Sequence, residues 1–257
     1  STMLLSGFLV TRITKLLRLP DVSGFIIAGI LLGPYFLNIV PSDITVKMGF
    51  VGDIALAFIA FNVGRFLRKE IFLKSGIEVI IITSCESLLA GAIITIAMRY
   101  IFNFDWNFSL LLGAIATATA PASTMMTINQ YKARGEFVDI LLQVVALDDV
   151  ICLISFSIVS AIINSTADGI FVFTDILAPI LHNIGTSSIG FLFGIILSKL
   201  LTPNRSHDNR LILAIALLLG LSGLCSIYGI SPLLACMVFG ATYINTTQDM
   251  QLYDQIN

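Results

Sequence analysis

The sequence predicts an all-α, polytopic membrane protein, and three observations support this fold class. Of its 257 residues, 57% are hydrophobic and 12% are charged, whereas soluble domains carry about 25% charged residues. The apolar residues fall in runs close to the ~20 residues that a helix needs to cross a bilayer. No alternation typical of a transmembrane barrel appears, so the crossings are expected to be helices that satisfy their own backbone groups.

The apolar runs predict about nine crossings. A polar, glycine-containing stretch at 164–175 is predicted to be a loop that leads into an amphipathic segment. The crossings are predicted, in chain order, at 1–17, 22–40, 50–67, 76–102, 109–128, 137–163, 176–200, 210–228 and 230–246.

The basic residues predict the orientation of the chain. All of the 14 Lys and Arg residues except Lys47 and Arg99 fall on the same set of alternate connections. Because cytoplasmic loops are enriched in Lys and Arg, this side is predicted to be cytoplasmic and the N-terminus external, in a multi-pass protein of the plasma membrane. The net charge of −2 gives no indication of a nucleic-acid partner, and none is expected.

A weak internal repeat relates the second and the ninth crossings. The segment 19–29 aligns without gaps on 230–240, with Gly29 matched to Gly240. Because these two crossings run in opposite directions, the pattern is typical of an inverted-topology repeat, as in many secondary transporters. A second repeat that starts near 210 needs about four more helices. We therefore expect 1–257 to be a single but incomplete transmembrane domain, with about nine of thirteen helices present.

The sixth crossing carries two adjacent acids, Asp148 and Asp149. Asp149 lies ~15 Å deeper along the helix than Asp139, close to the bilayer midplane. A carboxylate there costs at least ~2.5 kcal/mol to insert, and intramembrane acids usually mark ion pathways or proton relays. Alternatively, packing partners on other helices neutralise the pair. The two side chains point about 100° apart, and neighbouring carboxylates repel each other when both are charged. The site is therefore expected to hold protons or a cation, but not both comfortably.

The fifth crossing contains a run of small and hydroxyl residues interrupted by Pro121. Proline removes a backbone donor and clashes with the preceding turn, so the helix is predicted to kink or unwind there. Oxygen atoms freed at such a break would suit a small hard cation such as Na⁺. The alternative is a small-residue packing face whose hydroxyls bond to their own backbone. The candidate ligands of the transported Na⁺ are Asp148, Asp149, Thr117 and Thr119, with Ser123 and Thr124 as accessory candidates.

Glu86 is another deep acid, near the centre of the fourth crossing and between Ser84 and Ser87. Because an acid at this depth is costly to bury, Glu86 is a further accessory candidate for transport. The alternatives are a pairing with a base elsewhere in the protein and a protonated packing group.

Three motifs resemble those of one family. The segments LPDVSG at 19–24 and AGILLGP at 28–34 resemble the second helix of bacterial monovalent cation:proton antiporters. ATATAPA at 116–122 resembles their unwound helix, and ALDD at 146–149 resembles the double-aspartate motif of the Na⁺/H⁺ exchanger type. The likeness follows essentially the whole chain in order, and the three motifs together are specific.

The resemblance implies a homodimer in which a mobile core domain moves against a dimerisation domain. It implies that Asp149 is the essential carrier of cation and proton, and that Asp148 occupies the position that is Asp in electrogenic members and pairs with a lysine on a later helix. No lysine lies deep within a later predicted crossing of this chain, since Lys199 lies at the end of the seventh. The implied function is exchange of a monovalent cation, with Na⁺ expected, for protons across the cytoplasmic membrane by alternating access. No enzymatic reaction is expected, and no cofactor beyond the transported Na⁺ and H⁺.

Two alternatives remain open at this point. One is a K⁺/H⁺ efflux antiporter, although the glutathione-gated relatives of that type tend to carry Gln at the position of Asp148. The other is a non-transporting sensor or assembly component that keeps the antiporter fold. An intramembrane aspartyl protease is disfavoured, because its acids would have to lie on two facing helices rather than side by side on one.

Overall fold

The computed structural model describes residues 2–17, 19–168, 174–201, 207–228, 230 and 232–256. Within these ranges every regular element is a helix, which confirms the all-α prediction. The helices are α1 (Thr2–Leu16), α2 (Asp21–Leu32), α3 (Ser42–Lys47), α4 (Gly49–Gly64), α5 (Lys69–Tyr100), α6 (Trp106–Ala116), α7 (Pro121–Tyr131), α8 (Glu136–Asp168), α9 (Thr174–Leu200), α10 (His207–Ile227), α11 (Pro232–Thr247) and α12 (Gln251–Ile256).

Among the described residues, three helical segments are long and apolar enough to cross a membrane by length and composition. These are Gly76–Tyr100 in α5, Ile180–Leu200 in α9 and Asp208–Ile227 in α10. The segment in α5 has 25 residues, which at ~1.5 Å per residue exceeds the hydrocarbon thickness of about 30 Å. Shorter apolar helices are Asp21–Leu32, Gly49–Gly64 and Trp106–Ala116.

Each predicted crossing coincides with one helix, except that the fifth is divided between α6 and α7. The second crossing ends earlier than predicted. The sequence pattern extends it to position 40, whereas α2 ends at Leu32. The reason is Pro34, because proline disfavours the helical conformation in the residue before it. Gly33 accordingly adopts an extended conformation, with ψ of 172°. The chain then folds back, and Asn38 donates its backbone N–H to the Gly33 carbonyl at 2.9 Å.

The loop predicted at 164–175 is also partly wrong. Helix α8 continues to Asp168, and α9 begins at Thr174. Residues 169–173, which contain the glycine of the predicted loop, lie outside the described residues. Polar residues therefore extend α8 beyond its apolar segment, because polarity alone does not end a helix.

The chain divides into two compact units. The first comprises Ser1–Ala55 and Ala120–Val138, and the second comprises Leu56–Thr119 and Asp139–Asn257. In the first unit α1 packs on α2, and α2 also contacts α7. The backbone N–H of Asp21, at the start of α2, donates to the Gln130 side chain of α7 at 3.0 Å.

The second unit contains a closely packed group of helices around α11. A Cβ atom at Gly64 of α4 would overlap the Met237 carbonyl oxygen, and a Cβ at Gly190 of α9 would overlap that of Ala235. Glycine at these positions therefore lets the helix backbones touch, as expected of small residues in membrane helix interfaces. Tyr253 stacks on Phe61, with ring centroids 5.0 Å apart.

A recurring turn supports the internal repeat. Between α1 and α2, the backbone N–H of Leu19 donates to the Thr14 carbonyl at 3.0 Å. Between α10 and α11, the backbone N–H of Ile230 donates to the Cys225 carbonyl at 2.8 Å. The donors Leu19 and Ile230 are matched in the sequence alignment, and each donates to the carbonyl of the residue five positions earlier. The same turn is therefore built twice from different residues.

Candidate functional site

The predicted helix break lies immediately before Pro121. Helix α6 ends at Ala116 and α7 begins at Pro121, so the discontinuous helix of the predicted fold is confirmed. Proline at the first helical position leaves no donor unsatisfied there, since the first N–H groups of a helix have no internal partner anyway. The intervening residues 117–120 therefore carry backbone groups that are available to other parts of the protein.

One carboxylate collects hydrogen bonds at this break. Asp148 of α8 is fully buried. Its Oδ2 accepts from the backbone N–H of Thr119 at 2.7 Å and from the Thr119 hydroxyl at 2.6 Å. Its Oδ1 accepts from the hydroxyl of Ser87 on α5. Helix α8, the unwound segment and α5 thus meet at a single side chain, and we call Ser87, Thr119 and Asp148 the carboxylate cluster.

The sequence of α5 explains how Ser87 reaches the cluster. Val79, Thr83 and Ser87 are spaced by four residues and are all fully buried, so they form one face of the helix. Gly91 continues this face, and a Cβ atom there would lie 3.0 Å from the Gly113 carbonyl oxygen of α6. The close approach that glycine allows holds α5 against α6, directly next to the break.

Asp149 has different surroundings. It is partly exposed, and no described residue donates a hydrogen bond to its carboxylate. Since adjacent helical residues point about 100° apart, Asp149 cannot share the donors of Asp148. The two acids therefore differ as expected from their positions: Asp148 is held by the protein, and Asp149 is left accessible.

The remaining candidate residues lie in more than one place. Thr117 is buried, and its hydroxyl donates to the Ala114 carbonyl at 2.7 Å within its own helix end. Ser123 and Thr124 belong to α7 in the first unit, and the exposed Ser123 donates to the Ala120 carbonyl at 3.4 Å. Glu86 is exposed, whereas its neighbour Ser87 is buried. The ligand roles of these residues stay predictions.

Ser87 is the residue that sequence reasoning missed. It was visible only as a neighbour of Glu86, because a serine in an apolar helix carries no signal by itself. The useful signal is its spacing: Thr83, Ser87, Gly91 and Thr95 recur every four residues. A stripe of small and hydroxyl residues predicts a closely packed, polar helix face.

The fold is similar to that of solved antiporter structures from Methanocaldococcus jannaschii. An electron microscopy structure of the sodium proton antiporter MjNhaP1 matches with a TM-score of 0.75 and 22% identity, over 99% of this chain and 64% of that chain. A structure of MjNhaP1 at pH 8 matches with a TM-score of 0.67 and 24% identity, over 99% of this chain and 65% of that chain. At these identities the likeness supports the fold alone.

Curated relatives from the same organism match about half of the chain. Na(+)/H(+) antiporter 1 is 30% identical over 140 residues, which is 52% of this chain and 32% of the relative. Probable Na(+)/H(+) antiporter 2 is 30% identical over 130 residues, which is 48% of this chain and 29% of the relative. The matched part thus spans about a third of the length of each curated relative.

The family model of the transmembrane sodium/hydrogen exchangers matches residues 2–257. This match includes the broken helix, the carboxylate cluster and Asp149. The chain therefore belongs to the sodium/hydrogen exchanger family.

Proposed function

We propose that the protein is a secondary active transporter that exchanges a monovalent cation, Na⁺ in the first place, for protons by alternating access. The natural protein would act as one transmembrane exchanger domain. We further propose that it works as a homodimer in the plasma membrane with its N-terminus outside. The distribution of Lys and Arg supports this orientation, and the names of the relatives support the exchange.

The observation that carries the proposal is the contrast between the two adjacent acids. Asp148 is fully buried and accepts hydrogen bonds from Ser87 and Thr119. Three donors on one carboxylate occupy most of its acceptor sites. Asp149 is half-buried, and none of the residues that the structure describes donates a hydrogen bond to its carboxylate. It is therefore the group that can take up either a proton or a cation.

This arrangement gives a simple exchange cycle. A cation bound to the Asp149 carboxylate excludes a proton from it, and a proton excludes the cation, so the two compete for one site. Asp148 would supply further negative charge, and the oxygens of Thr119 and Thr117 would supply further hard ligands for Na⁺. A movement of the protein that exposes the site first to one side of the membrane and then to the other lets the cation leave on one side and the proton on the other. Competition for one site thereby becomes exchange.

The test is proton movement driven by Na⁺, Li⁺ or K⁺ in vesicles that contain the natural full-length protein. We expect each transported cation to displace protons from the protein on the side of the membrane where the cation binds. Asp149→Asn should abolish this proton flux. The matched control is Asp139→Asn, which makes the same change on the same helix at an exposed position and should leave exchange intact. A proton flux that does not depend on any of the three cations, or that persists in Asp149→Asn, would contradict the proposal.

A further inference from the structure

We propose that Ser87 is a positioning residue for cation binding: its hydroxyl, acting through Asp148, fixes the helix turn that presents Asp149 to the cation. This inference rests on the proposed exchange function. Ser87 does not have to touch the cation for this role. It lies on α5, whereas both candidate acids lie on α8.

The contact between Ser87 and Asp148 is a buried hydrogen bond between two helices. Ser87 and Asp148 are each fully buried, and the Ser87 hydroxyl donates to Oδ1 of Asp148. A hydrogen bond to a buried carboxylate is among the stronger ones in proteins. The contact also joins residues 61 positions apart in the chain, so it fixes tertiary rather than local structure.

Thr119 is the other residue that donates hydrogen bonds to Asp148. Thr119 provides a backbone N–H and a hydroxyl to Oδ2, but it lies between α6 and α7, where no helix holds the backbone. Ser87 lies within the continuous 32-residue helix α5. Of the two donor residues, Ser87 is therefore the one that belongs to a regular helix. Its hydrogen bond holds Asp148, and with it α8 and the break, in position relative to α5.

The orientation of Asp148 also determines that of its neighbour, Asp149. Because Asp149 follows directly on the same helix, any rotation of α8 that reorients Asp148 also reorients Asp149. Asp149 receives no hydrogen bond from any residue that the structure describes, so its direction depends on how α8 is held. Partners that orient the groups around a metal-binding residue commonly change affinity by 10–100-fold when removed.

The primary test is Ser87→Ala in the full-length protein in vesicles. We expect the apparent KM for Na⁺ to rise about tenfold while the maximal rate changes less than about twofold, because a positioning contact acts on binding. A second readout needs no transport: the rise in Tm that Na⁺ causes in the detergent-solubilised protein should require about tenfold more Na⁺.

Two matched variants separate positioning from packing. Thr83→Val removes another fully buried hydroxyl one turn earlier on the same face, where it donates to the Val79 carbonyl at 2.7 Å, and should leave KM within about twofold. Ser87→Thr keeps the hydroxyl and should restore most of the affinity. Where Ser87→Ala yields little folded protein, Ser87→Cys replaces the hydroxyl by a weak donor of similar size and carries the same test.

The outcomes distinguish this inference from the proposed function. An unchanged KM and Na⁺ dependence of Tm in Ser87→Ala or Ser87→Cys would overturn it, and so would an equal loss of affinity in Thr83→Val or in Ser87→Thr. If the unmodified protein shows no cation-driven proton flux, the exchange proposal itself fails. Exchange that proceeds normally with Ser87→Ala leaves exchange standing and removes only the role of Ser87.

Discussion

Helices α4 and α11 meet at glycine residues, whereas α5 and α8 meet at polar side chains that form hydrogen bonds. At the first place, a Cβ atom on Gly240 would overlap the Phe61 carbonyl oxygen, so the two backbones touch. At the second place, Asp148 accepts hydrogen bonds from Ser87 and from Thr119 of the unwound segment. Both contacts belong to the second unit, and each brings together segments that are distant in the chain.

The difference indicates which contact can change its partners. A contact between backbones is dry and has one close arrangement, because moving the helices apart loses packing and gains nothing. Hydroxyl groups can donate or accept, and a carboxylate can accept from several donors. The carboxylate cluster therefore suits a site whose occupant changes, while the glycine contact suits a fixed support.

Gly240→Ala should be the most damaging substitution. The added methyl group meets a backbone carbonyl that cannot rotate away, so α4 and α11 must move apart, at a cost of about 3 kcal/mol in the free energy of unfolding. Thermal or chemical unfolding of the purified protein measures this loss. The matched control is Gly29→Ala, the equivalent position in the internal repeat, where a Cβ atom would meet nothing within 4 Å. Equal losses at both positions would show that close approach is not the reason for glycine at 240.

Asp148→Ala should cost about 2 kcal/mol in the free energy of unfolding, because it leaves the buried Ser87 hydroxyl and the Thr119 N–H without an acceptor. Asp148→Asn keeps an acceptor for Thr119 and offers an N–H group to Ser87, whose hydroxyl can turn to accept. It should therefore cost less than about 1 kcal/mol. Comparing the unfolding of both variants tests whether hydrogen bonding or charge holds the cluster. A loss in Asp148→Asn as large as that in Asp148→Ala would favour charge.

The parts of the fold that the sequence predicts well are those that the membrane dictates. A spanning segment must be apolar and must pair its own backbone groups, so composition and run length reveal the helices. The break was predictable for a similar reason, since Pro121 cannot continue a helix. The same rule, applied to Pro34, would have ended α2 at Leu32 instead of at position 40. Hydropathy alone does not show this end of α2, because most residues at 35–40 are still apolar.

The sequence predicts the two acids of the site, but it does not predict which groups donate hydrogen bonds to them. Adjacent acids in an apolar helix are conspicuous, and the approach of Thr119 to Asp148 follows the predicted pairing of the break with α8. The contribution of the Thr119 backbone N–H, at 2.7 Å, has no sequence signal, because every residue except proline has such a group. Ser87 rather than Glu86 faces the acids, and this depends on the rotation of α5, which is set by packing on α6.

Thr119→Val removes one donor of the carboxylate cluster and keeps the volume and branching of the side chain. We expect a loss of about 1.5 kcal/mol in the free energy of unfolding, since the hydroxyl donates to a charged group at 2.6 Å. The backbone N–H of the residue still donates to Asp148, so the break should keep its place. Thr119→Ser retains the hydroxyl and should lose less than half as much. If the two variants are equally destabilised, the methyl group rather than the hydroxyl stabilises the break.

Tyr253→Phe should have the smallest effect, because it removes one hydrogen bond and keeps the aromatic ring. The buried Tyr253 hydroxyl donates to the Gly240 carbonyl at 2.6 Å, so a polar contact exists within the glycine-packed region too. Its removal should cost about 1 kcal/mol in the free energy of unfolding, and the stacking on Phe61 should persist. Tyr228→Phe, at a position 71% exposed, is the control and should change nothing. Because the methyl group of Gly240→Ala is expected to cost about three times as much as this hydrogen bond, a larger effect of Tyr253→Phe would show that polar contacts hold both regions.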